Sequence, residues 1–458
     1  MNTLKDKMLF FIGIGGIGMS GLARYFRRKG FRVAGYDRTP SELTNQLQSE
    51  GIDVQFNESS TLLPEDIVEA APENVVVVRT PAVPITSPLY MYWQGKGAKI
   101  MKRAELLGMI TSDQRTIAVA GTHGKTTVST MLAHLLVTGR VKCNAFLGGI
   151  SSNYGTNVIL NNEAVVDVVE ADEYDRSFLK LHPSEAIITA MDADHLDIYK
   201  TPEAMDAAYG EFAGLVKGSL FVHKAISGKF GSHKNVISYS LDGANIPRAE
   251  NLRVQEGYHV FDLHLEGAVL KDLKLGMPGR HNVENAIPAA ALALKVGVGV
   301  EHIREGLRTF RGVVRRFERR YESGGVVYID DYAHHPKELD AFIGSVRELY
   351  PGRRITGIFQ PHLFSRTQDL APEFAKSLAK LDELLLLDIY PAREEPIPGI
   401  TSEWLLEQVP MEAKELCGKE RLIEELRSRE LQVVLTMGAG DIDRLVPAVE
   451  RVLNEKGR

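Results

Sequence analysis

The segment Gly121-Thr122-His123-Gly124-Lys125-Thr126-Thr127 gathers glycines, a lysine and hydroxyls into one short loop, the set needed to hold a polyphosphate. Backbone N–H groups of such a turn surround phosphate oxygens, an ammonium at Lys125 offsets the β and γ charges, and the Thr126 hydroxyl ligates Mg2+. The full pattern G-x-x-x-x-G-K-[ST] asks for glycine at 119, where Val119 stands, so this is a shortened variant. Further along, Glu170 in VVEADE and His195 in MDADHLD each follow an apolar run, and an oxygen and an imidazole donor there are candidate metal ligands beside Thr126. The alternative is that Asp172, Glu173, Asp192 and Asp194 are solvated loop carboxylates and His195 caps a helix. A second glycine loop, Gly13-Ile14-Gly15-Gly16-Ile17-Gly18, lies near the start, and Asp37 closes the next strand, where a carboxylate meets a ribose or a base. Alone, that loop serves dinucleotides, sugar nucleotides or tight packing equally well.

The elements that must position these residues read as parallel strands joined by crossover helices, an α/β class. Apolar runs near Met8 to Ile12, Arg32 to Tyr36 and Asn74 to Val78 form a first block, with a helical stripe of Leu22, Ala23 and Phe26 ending at Gly30. A second block has strands at Thr116 to Ala120, Val165 to Val169 and Ala186 to Ala190, with a helix over Thr126 to Val137. From Ser219 to Leu275 the alternation of Tyr258 to Leu265 predicts an antiparallel insert. A third block has strands at Val326 to Ile329, Ile355 to Phe359, Leu384 to Leu387 and Val433 to Met437. Both glycine loops therefore sit between a strand and a helix. Glu170 and His195 sit past strands of the same block, and ligands collect at such carboxyl ends.

The 458 residues exceed one ordinary core. A net charge of −6 lacks the broad basic field of nucleic-acid binders, so no DNA or RNA partner is expected. Cys143 and Cys417 are far apart, which excludes a disulfide framework and a cysteine zinc site. The N-terminal run breaks into glycines after Ile12 and reads as a first strand. No apolar stretch is long enough to span a bilayer, so no membrane partner and a cytoplasmic location are expected.

Motifs then run in order along the whole chain: GIGGIGMSG at 13–21, GTHGKTT at 121–127, EADEYDRSF at 170–178, DADHLDIY at 192–199, GRHNVENA at 279–286, RRFE at 315–318, DDYAHHP at 330–336, PHLFSRT at 361–367 and GAGDI at 438–442. On these the chain resembles the Mur ligases of peptidoglycan synthesis. The resemblance implies residues 1–104 as a Rossmann-like UDP-sugar domain, 105–313 as a central P-loop ATPase-type domain, and 314–458 as a Rossmann-like domain for the amino acid. It implies ATP with Mg2+, or Mn2+ in its place, and an acyl phosphate made from the muramyl carboxylate and attacked by an amine. Within the family it is nearest to members that add L-alanine to UDP-N-acetylmuramate. Gly13, Gly15, Gly16, Gly18 and Asp37 would then hold the UDP-sugar. Asn282 and Asn285 would face adenine beside His281, Asp331 would hold the ribose, and Arg316 would reach the phosphates. Tyr332, His335 and Arg366 would line the alanine site, with Arg366 on the carboxylate; Lys125, His195, His335 and Arg366 are the implied catalytic set.

Without the resemblance, Asn282 and Asn285 would cap a helix beginning near Asn285, and Arg315-Arg316 and His334-His335 would be ordinary solvated pairs. Two departures stand out. Several Mur ligases carry a carbamylated lysine fourteen residues after the metal histidine, where this chain has Tyr209; the alanine-adding members tend to lack it as well. Some relatives have arginine in place of Leu363. A murein-peptide recycling ligase remains the neighbouring alternative. A nicotinamide-dependent oxidoreductase built on Gly13 to Asp37, or a regulatory ATP-binding module, are alternatives of other classes.

Overall fold

The computed structural model describes residues 4–192, 199, 201–241, 243–392 and 394–456. The first sheet holds β1 (Met8–Ile12), β2 (Val33–Tyr36), β3 (Asp53–Gln55), β4 (Val75–Arg79) and β5 (Lys99–Lys102), all parallel, in the order β3-β2-β1-β4-β5. MLFFI and VVVVR are buried on both faces, as a sheet sandwiched by helices requires. The chain leaves β1 one way toward β2 and returns the other way to β4. That switch point places Gly13–Gly18 in the crevice at the strand ends.

The second sheet holds β6 (Thr116–Ala120), β7 (Cys143–Ser151), β8 (Thr156–Ile159), β9 (Val166–Glu170), β10 (Glu185–Ile188), β11 (Leu220–His223) and β12 (Val236–Tyr239), in the order β12-β11-β10-β6-β9-β7-β8. All neighbours are parallel except the β7–β8 hairpin. β6 lies between β9 and β10, so the loops after these strands open side by side. One apolar core runs from Leu4 through Tyr25, Phe26, Phe146 and Phe178 to Phe230, under both sheets. Buried polar links add to it: Arg24 donates to Asn157 Oδ1 at 2.7 Å, and Asn157 Nδ2 donates to Ser20 Oγ at 2.9 Å.

The stretch expected as an antiparallel insert is only partly one. LFVH and VISY carry no alternation and extend the parallel sheet as β11 and β12; the insert begins at Arg248. It comprises β13 (Arg248–Gln255), β14 (Tyr258–Leu265) and β15 (Ala268–Lys274), in the order β13-β14-β15. Two-residue turns, Glu256-Gly257 and Glu266-Gly267, join them, and only antiparallel neighbours accept so short a connection. Glu256 and Gly257 both have positive φ, 52° and 73°, which suits the twist of a hairpin.

The third sheet holds β16 (Glu318–Ser323), β17 (Val326–Asp331), β18 (Ile355–Phe359), β19 (Glu383–Leu386), β20 (Lys414–Leu416) and β21 (Val433–Met437), in the order β16-β17-β21-β18-β19-β20. Only β16, the polar edge strand ERRYES, runs antiparallel. Asp331 and Phe359 both pair with Met437, so the loops after β17, β18 and β21 leave at one level. By contacts the chain divides into two compact units. The first takes the chain up to Glu250 with Asp262–Lys271 and Glu284–Leu307; the second takes Asn251–Phe261, Asp272–Val283 and the chain from Arg308. Among the described residues no helix is long and apolar enough to cross a membrane.

Candidate active site

In the first unit the loop after β1 is shaped by its own glycines. Gly13 has φ +87°, and a Cβ at Gly15 would fall 2.7 Å from Thr44 Cγ2 and 2.8 Å from Asp37 Oδ2. Asp37 anchors the loop: Gly15 N–H donates to Oδ2 at 2.7 Å and Thr39 N–H to Oδ1 at 3.2 Å. The helix Ile17–Arg28 starts at Gly16 without a side-chain cap, the arrangement that suits an anion at a helix N-terminus. A Cβ at Gly18 would meet Arg103 Nη1 at 2.8 Å, and Arg103 Nη2 lies 3.4 Å from Asp172 Oδ2. Arg103 had no motif to mark it.

The loop after β6 needs two glycines. Gly121 has φ +130° and Gly124 φ +82°; Cβ atoms there would fall 2.1 Å from Thr189 Oγ1 and 2.8 Å from Asn285 Oδ1. Lys125 then opens the helix Lys125–Thr138, and its Nζ donates to Gly121 O at 2.6 Å and lies 2.8 Å from Glu173 Oε2. Burial pulls the ammonium's pKa down, but Glu173 and Glu170, with Asp172, outweigh it, so the net direction is up and Lys125 is charged. Glu173 is not the solvated carboxylate of the sequence reading. Its side chain is 1% exposed, and the residue is fixed by the Tyr199 hydroxyl donating to its main-chain oxygen at 2.6 Å. The signal was the triple acid of EADE, which offered no way to choose among its members.

Glu170 ends β9, pairs in register with Val119 of β6, and lays its carboxylate over Gly148, where a Cβ would come within 2.1 Å of Oε2. After β10 the chain returns to the loop: Thr122 N–H donates to Ala190 O at 3.0 Å, Asp192 N–H donates to Thr122 Oγ1 at 3.0 Å, and His123 Nε2 lies 3.3 Å from Asp192 Oδ2. Thr127 is buried in the first turn and Thr126 is half-buried. His195 and Asp194 lie outside the described residues. Tyr209 sits in an aromatic layer, its ring 5.2 Å from Phe178, which stacks on Phe212 at 5.0 Å.

In the second unit the residues after β17 gather. Asp331 accepts N–H from Phe317 at 2.6 Å and from Ala333 at 2.7 Å. Burial pushes its pKa up to about 6 against the opposing pull of Arg316 and these two donors. Arg315 is drawn inward instead, its Nε 3.1 Å from Asp330 Oδ2, while Arg316 lies 5.1 Å from the Tyr332 ring centre and 4.0 Å from Glu338. The paired arginines thus have separate tasks.

The paired histidines do too. His335 caps the helix Pro336–Leu349, its Nδ1 accepting Lys337 N–H at 3.3 Å. His334 sits in a cluster of its own: its ring is 3.3 Å from Glu338, 5.2 Å from Tyr332 and 6.0 Å from His362. Burial lowers the basicity of both His334 and His362, the latter to about 4, with Arg366 adding to each. Arg366 lies on the helix Phe364–Asp369, with Nη1 3.5 Å from His362 Nδ1, and Leu363 before it has φ +72°. His334, Glu338 and His362 are members of this cluster that the sequence reading did not choose.

The GRHNVENA segment lies in a helix that starts at Arg280, so neither asparagine caps a start near Asn285. Asn282 is buried and donates to Pro278 O at 2.6 Å. His281 Nδ1 is 3.4 Å from Ser345 Oγ, and its ring is 6.4 Å from Phe317, the residue whose N–H holds Asp331. Asn282 and His281 fall in the second unit, Asn285 in the first.

The first unit's loop fits a nucleotide triphosphate: a backbone cradle that any Cβ would fill, followed by a charged ammonium. Thr126 and Glu170 beside it offer the hard oxygens that Mg2+ accepts.

Three family models match in chain order: the Mur ligase family, catalytic domain, over residues 9–115; the Mur ligase middle domain over 119–293; and the Mur ligase, glutamate ligase domain over 315–440. The chain belongs to the Mur ligase family. Curated relatives agree over the full length. This Mur ligase is 46% identical to the UDP-N-acetylmuramate–L-alanine ligase of Flavobacterium johnsoniae, covering 99% of this chain and 100% of that one. It is 49% identical to the enzyme of the same name from Porphyromonas gingivalis, covering 98% and 99%. Among solved structures, the UDP-N-acetylmuramate-alanine ligase of Thermotoga maritima superposes with a TM-score of 0.80 at 26% identity, covering 98% and 99% of the two chains. A murein peptide ligase from Psychrobacter arcticus gives 0.67 at 22% identity, covering 97% and 99%, and so shares the fold.

Proposed function

We propose that this chain joins L-alanine to the carboxylate of UDP-N-acetylmuramate, driven by ATP, in the cytoplasmic synthesis of peptidoglycan precursors. The observation that carries it is the full-length likeness to relatives of that name, at 46% and 49% identity. The geometry supports the reading through a half-buried, charged Lys125 beside a two-glycine cradle. The segments 1–104, 105–313 and 314–458 serve the UDP-sugar, ATP and the amino acid in turn.

A carboxylate oxygen of the sugar nucleotide attacks the γ phosphorus, ADP leaves, and an acyl phosphate forms. The alanine nitrogen attacks its carbonyl carbon and gives up a proton, and the C–O bond to phosphate breaks, leaving the amide and inorganic phosphate. Gly13, Gly15, Gly16 and Gly18 receive the diphosphate of the sugar nucleotide, with Asp37 holding the loop open. Gly121 to Thr127 cradle the triphosphate, and Lys125 offsets charge that grows on the transferred group. Bound Mg2+, or Mn2+, would spread that charge further; Thr126, Glu170 and His195 are the residues to hold it. His281, Asn282 and Asn285 take the adenine, Asp331 the ribose and Arg316 a phosphate. Tyr332, His335 and Arg366 take L-alanine, the guanidinium pairing with its carboxylate.

The test is phosphate release with ATP, UDP-N-acetylmuramate and a panel of amino acids set against a murein tripeptide. L-Alanine should be the best acceptor; preference for the tripeptide would replace this reading with a peptide-recycling ligase. Arg366→Ala should raise the KM for L-alanine by about 10- to 100-fold with the KM for ATP little changed. An unaltered alanine KM would remove Arg366 from that role.

A further inference from the structure

The helix carrying His281 and Asn282 is entered through a turn that a buried side chain from another element holds. His259 on β14 is fully buried, and its Nδ1 accepts the N–H of Gly279 at 3.1 Å. Its main-chain oxygen accepts Leu275 N–H at 3.1 Å, so ring and backbone both grip the chain leading into that turn. An accepting Nδ1 is bare, which puts the proton of the neutral ring on Nε2, facing Glu348 Oε2 at 3.5 Å. Burial favours that neutral ring, against the pull of Glu348 and with the repulsion of Arg280, and the net direction is down.

Gly279 is a point of leverage. It has φ +117°, and a Cβ there would fall 2.9 Å from both Asn282 Nδ2 and His281 Cε1, so the turn lies directly beneath these two side chains. Its carbonyl accepts the N–H groups of Asn282 at 2.9 Å and Val283 at 3.1 Å, the first bonds of the helix. Ser345 and Glu348, about one turn apart on the helix Pro336–Leu349, meet His281 and His259 respectively. Two rings are thus set against a single helical face.

We propose that His259 is a positioning residue for purine recognition: its bare Nδ1 fixes Gly279, and through it the side chains of His281 and Asn282. The proposal rests on the reading that those two residues meet the adenine of ATP.

His259→Asn keeps an accepting oxygen where Nδ1 sits, whereas His259→Gln moves its polar atoms to the Nε2 position. His259→Gln should raise the KM for ATP about tenfold and erode the preference for ATP over GTP by a similar factor, as expected when a buried N–H loses its acceptor. His259→Asn should stay close to wild type, and in both variants the KM values for UDP-N-acetylmuramate and L-alanine should hold. Equal behaviour of the two variants, or one common change in all three KM values, would overturn the proposal; so would an unfolded His259→Gln, which would mark the residue as structural. His281→Ala separates the layers. If it leaves ATP affinity and purine preference untouched, the adenine reading fails; if it alters them while His259→Gln does not, only the positioning role fails.

Discussion

Each unit holds a buried carboxylate near the carboxyl end of its sheet, but the two are satisfied in opposite ways. Glu173 is matched by a side-chain cation, Lys125, at 2.8 Å. Asp331 is held by two backbone N–H groups, from Phe317 and Ala333. A side-chain pair can exchange partners: in the proposed site an arriving triphosphate would compete with Glu173 for the ammonium. Backbone donors fixed by a sheet and its following loop cannot leave. The first arrangement can be rearranged; the second is fixed in place.

The sharpest way to break this contrast is to remove the exchangeable cation. Lys125→Ala should reduce phosphate release by about 1,000-fold or more, since the charge on the transferred group loses its nearest counter-charge. Binding of UDP-N-acetylmuramate, measured by calorimetry, should persist. Retained turnover would show that the loop after β6 does not serve phosphoryl transfer.

Removing the other half of the pair has a different signature. Glu173→Gln keeps an acceptor for Lys125 but removes the nearest countercharge of the half-buried ammonium, a loss of about 1 to 3 kcal/mol of stability in the absence of nucleotide. Saturating ATP should then raise the melting temperature more than it does in the wild type, because the triphosphate supplies the missing charge. Equal ATP-induced shifts would mean that Lys125 does not change partners.

For Asp331 the contrast is read through pH. Its folded pKa, pushed up to about 6, lies above the ordinary carboxylate value of 3.8. Below about pH 4 the group is protonated folded or unfolded. Between about pH 4 and 6 the folded chain keeps a proton that the unfolded chain releases, so raising the pH favours unfolding. By about pH 7 the full cost, roughly 2 to 3 kcal/mol, is in place. Asp331→Asn cannot titrate, so denaturant midpoints should show the wild type losing stability relative to the variant from pH 4 to 6, with a constant difference above 7. A pH-independent difference would show that burial does not disfavour this carboxylate's ionised form.

Legibility from sequence followed the same line between apolar and polar. TIAVA, ITGIF and VVLTM announced β6, β18 and β21 to the residue, because strands buried on both faces leave unbroken apolar runs. ERRYES and KEL are equally real strands on or near an edge, and their polar composition hid them. The loop after β6 was readable as a strand–loop–helix turn because its glycines, lysine and hydroxyls are adjacent in the chain. The pairing of Glu173 with Lys125, and the place of His334 beside Glu338 and His362, were not. Those choices depend on which of several like neighbours turns inward, which backbone geometry decides.

The smallest expected effect concerns the layer beneath the exchangeable pair. The position for which the family resemblance implies a modified lysine is Tyr209, and a phenol there invites the idea that its oxygen stands in as a metal-bridging group. The surroundings argue otherwise: Tyr209 is fully buried, edge-on to Phe178, which stacks on Phe212. A ring held edge-on in an aromatic layer is placed for packing. Tyr209→Phe keeps the ring packing and removes only the hydroxyl, at a cost of about 1 kcal/mol or less in stability. The concentration of Mg2+ that gives half-maximal activity should change by less than about twofold, with turnover likewise preserved. A large rise in that concentration would place the Tyr209 oxygen on the metal, adding an aromatic ligand to the proposed Thr126 and Glu170.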